Sequence, residues 1–120
     1  MSETPLIAIV CAIPLLGQAL CDALDELAEC KVIPARQDDI AGLLKSMQPD
    51  AIVVDAEDEA ESAATYSRFA RIPVIHVDLS AHMLRLYEDG RWEYAEDLEA
   101  SPEGIRNLVA SGLYGRRVRA

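Results

Sequence analysis

The chain has 120 residues, 51% of them hydrophobic, with only six Gly and six Pro, a composition that excludes global disorder and fits one ordinary packed domain over 1–120. A net charge of −10 sets 21 acidic against 11 basic residues, so the body repels nucleic acid. No apolar run approaches the roughly 18 residues of a membrane span, Glu3 stands where a secretory leader would be basic, and Cys11, Cys21 and Cys30 lack the spacing of a disulfide or zinc framework, all of which points to a cytoplasmic protein with reduced thiols.

Leu6-Ile7-Ala8-Ile9-Val10-Cys11-Ala12 is a short β-rich run without polar alternation, as expected of a strand covered on both faces. Leu16, Leu20, Ala23, Leu24 and Leu27 then recur at helical spacing, with Pro14 suited to the first turn. A brief second strand, Lys31–Ala35, is ended by Pro34. Asp38 or Asp39 can cap a second helix whose inner face is Ile40, Leu43, Leu44 and Met47.

Ala51–Val54 predicts a third strand, and Glu59–Arg71 a third helix with Ala63, Tyr66, Phe69 and Ala70 on one side. Pro73–Val77 predicts the fourth strand. Alternating β and α units of these lengths call for a parallel sheet with helices on both faces. The last third breaks that rhythm. Met83–Tyr87 and Arg91–Tyr94 both alternate around Asp89-Gly90, a hairpin signal. Ser101-Pro102-Glu103 opens a last helix with a stripe of Ile105, Leu108, Val109 and Leu113, and Gly112 and Gly115 suit its end.

Two acidic stretches stand out: Asp55, Glu57, Asp58, Glu59 and Glu61, then Glu88, Asp89, Glu93, Glu96, Asp97, Glu99 and Glu103. The first reads as a helix entry, where negative charge complements the N-terminal dipole. Arg116, Arg117 and Arg119 read as a solvated end or as a docking tag for an acidic partner.

From Leu6 to Asp78 the chain resembles the receiver domains of bacterial response regulators. Ile7-Ala8-Ile9-Val10 followed by Pro14–Leu20 is similar to their first strand and helix start. Pro49-Asp50-Ala51-Ile52-Val53-Val54-Asp55 resembles the strand that carries the phosphoaccepting aspartate, and Ile72-Pro73-Val74-Ile75 the fourth strand. The resemblance implies an α/β fold in three layers, a doubly wound, mostly parallel, flavodoxin-like sheet, with a divergent C-terminal β-hairpin and last helix.

It also implies a test of the chemistry. Phosphoryl transfer to a carboxylate needs a divalent cation and fixed positive charge to offset anion repulsion. Receivers supply these with an acidic pair after the first strand, a Ser or Thr ending the fourth, and a Lys-Pro ending the fifth. The matching positions here hold Cys11 and Ala12, then Asp78, and the only lysines are Lys31 and Lys45. Asp55 keeps its position without its helpers, as a solvated strand-end carboxylate or a cap of the next helix. The resemblance thus implies a pseudo-receiver, non-enzymatic and without metal or cofactor.

Other chemistry is weaker still. His76, Asp78 and His82 match no established zinc spacing, and Gly17 and Gly42 stand alone in helical patterns rather than in a phosphate loop. Ser80 with His82 lacks the companions of a nucleophile site. Cys11 at a strand end is either a reactive thiol or a buried structural one. What remains is surface: Tyr87, Arg91, Trp92 and Tyr94 on the hairpin are interface-type residues, unless Trp92 and Tyr94 fold back on the last helix.

Three readings follow. The first is a signalling or regulatory module that works by protein–protein interaction or as a homodimer, independently of Asp55 phosphorylation. The second is a true phosphoacceptor at Asp55. The third is a small-molecule binder in a strand-end crevice near Cys11, Asp55 and Asp78.

Overall fold

The computed structural model describes residues 4–34, 39–78, 81–88 and 90–118, the side chains of 96–99 and 112–118 excepted. Ala35, Asp38, Ser80, Asp89 and Arg119 therefore lie outside the described residues, as do the side chains of Glu96, Asp97, Glu99, Leu113, Tyr114, Arg116 and Arg117. The elements run β1 (Leu6–Cys11), α1 (Pro14–Leu24), β2 (Glu29–Pro34), α2 (Ile40–Met47), β3 (Ala51–Val54), α3 (Glu57–Ala70), β4 (Val74–Asp78), β5 (Met83–Glu88), β6 (Arg91–Glu99) and α4 (Pro102–Val118).

The strands form one sheet in the order β2-β1-β3-β4-β5-β6. β1 to β4 pair in parallel, whereas β5 and β6 join antiparallel, so the α/β fold has a mixed sheet. The cause is chain length. Parallel return to a neighbouring strand needs a crossover of a dozen or more residues, and only the segment between Asp78 and Met83 separates β4 from β5. Asp78 Oδ1 accepts the Ala81 amide at 3.1 Å and His82 takes φ 54°, so the chain turns straight back.

Alternation along each buried strand divides the core between two faces. Ile7, Ile9, Val53, Ile75 and Leu84 pack under α1 and α4 with Leu20, Leu24, Ile105 and Val109. Ala8, Val10, Ile52, Val54 and Val74 pack under α2 and α3 with Ile40, Leu44, Ala60, Ala63 and Ala64. Gly17 lets α1 sit close: a Cβ there would lie 3.0 Å from Val32 Cγ1 and 3.4 Å from Cys11 Cβ.

Several local expectations hold. Asp39 caps α2 by accepting the Gly42 amide at 2.9 Å, and Ser101 Oγ caps α4 by accepting the Gly104 amide at 3.1 Å. Glu88 pairs with Arg91 across the two-residue turn, where Gly90 takes φ 86°. Others are corrected. α3 turns Ala60, Ala63, Ala64 and Ser67 inward, leaving Phe69 84% exposed, because these small side chains allow close approach to the sheet. Leu43 is 39% exposed rather than inward-facing, since the neighbouring turn already seats Ile40 and Leu44 in the core. α4 continues through Gly112 and Gly115 to Val118. Among the described residues no helix is long and apolar enough to cross a membrane.

Candidate functional site

The chain steps outward from β1 to β2 and returns past β1 to β3, so its direction reverses between the C-terminal ends of β1 and β3. Such a reversal opens the crevice where open α/β sheets collect ligands. Cys11, Ala12 and Asp55 meet there. The Asp55 carboxylate accepts the Ala12 amide at 2.8 Å on Oδ1 and the Ile13 amide at 3.3 Å on Oδ2. Its own amide donates to Val10 O at 3.3 Å. Asp55 does not cap α3, whose N-cap is Ala56 and has no side-chain hydrogen bond.

Asp50 does the same work at the other end of β3. Its Oδ2 accepts the Leu6 amide at 2.8 Å, and its amide donates to Leu6 O at 2.7 Å. The two aspartates that bracket β3 thereby clamp both ends of β1. The amides after β1, open to an anion in a phosphate-binding turn, are here satisfied from within the chain.

Cys11 is buried, and its thiol is pushed up to about 12 by desolvation, with further contributions from the charge of Asp55 and a hydrogen bond to it. A thiol so disposed is not a nucleophile at neutral pH. Cys30 Sγ donates to Ala28 O at 3.8 Å; burial raises both Cys21 and Cys30, Cys30 to about 12. Asp78 is spent on its turn to Ala81. Among the described residues no group of three His, Cys, Asp or Glu is placed to hold a metal ion.

His76, Asp78 and His82 do not converge. His76 is only 5% exposed, on the sheet face under α3. Arg85 Nε and Nη2 lie 3.0 and 2.9 Å from His76 Nδ1. A guanidinium has only donors, so Nδ1 is the bare acceptor and the ring proton sits on Nε2. Desolvation and the Arg85 charge hold His76 below the usual imidazole range, against opposing pulls from Asp78, Glu57 and Asp55.

Arg85 also lies 4.6 Å over the Trp92 ring, and Trp92 packs against Tyr87 at 5.1 Å and His76 at 6.2 Å between ring centroids. The register sets this cluster: His76 faces Arg85 across β4–β5, and Tyr87 faces Trp92, and Arg85 faces Tyr94, across β5–β6. Trp92 and Tyr94 thus stand on the face away from α4. Tyr87 is not a surface residue, at 3% exposed, whereas Tyr94 is 52% exposed. Arg91 lies on the other side of β6 in an exposed ion pair with Glu93 at 2.9 Å. Strand alternation was the signal for this grouping; the Arg85–His76 bond needed the β4–β5 register, which the residues alone do not reveal.

At the opposite end of the sheet from Asp55, a cleft of about 370 Å³ opens between the end of α3 and the β5–β6 turn, lined in part by Arg68, Arg71, Ile72, Tyr87 and Glu88. It includes none of Cys11, Asp55 and Asp78. Neither family models nor curated proteins give a match to this chain.

Proposed function

We propose that the chain is a receiver-like, flavodoxin-like module that works by protein–protein interaction and not by phosphorylation of Asp55. The observation that carries this reading is the Asp55 carboxylate bonded to the Ala12 and Ile13 amides. A phosphoryl group on Asp55 would have to displace those bonds, and among the described residues no group of three His, Cys, Asp or Glu is placed to hold a cation that would offset the charge. The order β2-β1-β3-β4 also supports it, being the opening of the flavodoxin-like 2-1-3-4-5 order, although the fifth strand here is antiparallel.

The docking surface in this proposal is β6 with the face beside it. α3 lies over β3 and β4; Trp92 is partly buried at the margin of that core, and Tyr94 beside it is exposed. The two sheet edges differ. β2 ends in Pro34 and exposes Glu29 and Lys31, devices that discourage strand addition. β6 spans nine residues and has no neighbour on its outer side among the described residues. Such an edge takes a strand from a partner protein or from a second copy.

Two measurements test the reading. Magnesium with beryllofluoride should leave Trp92 emission and amide shifts unchanged; a saturable response abolished by Asp55→Asn would overturn it. Sedimentation and affinity capture from the native cell should reveal a self- or hetero-complex weakened by Trp92→Ala and Tyr94→Ala. A chain that stays monomeric and captures nothing through this edge would remove the interaction half of the proposal.

A further inference from the structure

The geometry points to a second site, independent of the Asp55 end: the cleft between α3 and the β5–β6 turn binds a small phosphate monoester through Arg68 and Arg71. At about 370 Å³ it is in the size range of small-molecule sites. Its charge is out of keeping with the chain. With 21 acidic residues available, an exposed arginine should readily find a carboxylate. Arg91 pairs with Glu93 and Arg106 with Glu26, while Arg85 serves His76 and Trp92. Arg68 and Arg71 have no carboxylate ion pair among the described residues, and both line this cleft.

Arg68 is held by its side chain and Arg71 by its backbone. Arg68 Nε donates to the Tyr87 hydroxyl at 2.9 Å, and Tyr87 is buried against Trp92, so one edge of the guanidinium is anchored; the Glu61 charge also attracts it, without forming an ion pair. Arg71 ends α3 in the left-handed region, φ 59° and ψ 44°, with its amide on Ser67 O at 2.7 Å. Glycine is the residue that fits such a position without cost. Gln48 ends α2 in the same conformation, φ 52°, so the angle is a helix stop; its consequence at Arg71 is to fix the backbone from which this side chain lines the cleft.

Two arginines lining one cleft suit the oxygens of a phosphate, which accepts paired N–H donors. Ile72 supplies an apolar patch for the body of the ligand. Glu88 on the rim disfavours a bare anion and favours one that carries hydroxyl or ammonium groups away from the phosphate. A sugar phosphate or amino-alcohol phosphate answers all three, and inorganic phosphate only the first.

The test is titration with glucose 6-phosphate, inorganic phosphate, and glucose with sodium chloride at matched ionic strength, read by Trp92 emission, since Trp92 packs at a tilt against the phenol that holds Arg68. The expected result is saturable binding of the ester, about tenfold tighter than inorganic phosphate, with no response to the chloride control. Arg68→Gln and Arg71→Gly should each weaken it about tenfold or more. Arg71→Gly suits the left-handed cap, so its loss of binding would not reflect misfolding. Absence of saturation by the ester, equal affinity in the double variant, or a matching response to chloride would each overturn the assignment.

Discussion

The carboxylate of Asp55 accepts the backbone amide of Ala12 at 2.8 Å, across 43 positions of sequence. A side chain at the end of β3 thereby fixes the turn that follows β1, and Asp50 repeats the arrangement from the start of β3 onto Leu6. The pair of aspartates that most resembles a phosphorylation motif works as two clamps on one central strand. A carboxylate that accepts backbone N–H groups makes charge-assisted bonds, stronger than neutral ones.

Removing a clamp should therefore cost stability before anything else. Asp55→Ala should lower the unfolding free energy by about 1–3 kcal/mol, because two amides lose their acceptor. Asp55→Asn, which keeps one carbonyl acceptor, should cost about 1 kcal/mol. Asp50→Ala acts at the other end of β1, so its effect should add to that of Asp55→Ala within about 0.5 kcal/mol. Urea titration checks all three.

His76 predicts a loss of stability in mild acid. Its folded value is lowered from 6.5, chiefly by burial and then by Arg85. As pH falls below 6.5 the unfolded chain takes up the proton first, so stability is full above that pH and declines until the folded ring also protonates. One proton gives a slope of at most about 1.4 kcal/mol per pH unit. His76→Gln leaves an oxygen acceptor for Arg85 that does not titrate, and it should flatten the urea midpoint between pH 6.5 and 5.

The thiols give the opposite sign at alkaline pH. Cys11 and Cys30 are both raised from 9.0 to about 12, each mainly by burial. Above pH 9 the unfolded chain releases these protons while the folded chain keeps them, so stability is full below pH 9 and is lost as pH rises toward 12. Cys11→Ala should make that decline shallower. At pH 8 the native protein should react with iodoacetamide far more slowly than the protein in urea, a difference mass spectrometry can assign to each cysteine.

What could be read from the residues depended on how local the cause was. β1, β3 and β4 were legible as unbroken apolar runs, and the hairpin from its alternating arms around Asp89-Gly90. Asp55 was legible as a strand-end carboxylate, but its partners are amides 42 and 43 positions away, which no spacing encodes. The antiparallel entry of β5 follows from the short segment after Asp78, a length visible in the chain but masked by the βα rhythm before it. Arg71 left no sequence signal, because only the meeting of the α3 end with the β5–β6 turn makes it line a cleft.

The phase of α3 was the clearest local failure, and it yields the sharpest remaining test. The residue pattern put Ala63, Tyr66, Phe69 and Ala70 on one side; Ala63 and Tyr66 do pack against the core, whereas Phe69 and Ala70 are exposed. Close contact of the helix with β3 and β4 instead selects the small residues, with Ala63 at 0% exposure and Phe69 at 84%. In that phase Ser67 is also inward, where its hydroxyl donates to Ile72 O and closes the α3–β4 turn. Ala63→Leu must then push the helix off the sheet and should cost about 1–3 kcal/mol. Phe69→Gln should change stability by no more than about 0.5 kcal/mol. A core phenylalanine truncated to alanine typically costs about 3–5 kcal/mol, so a loss of that order on truncating Phe69 would mean the helix is rotated from the position described.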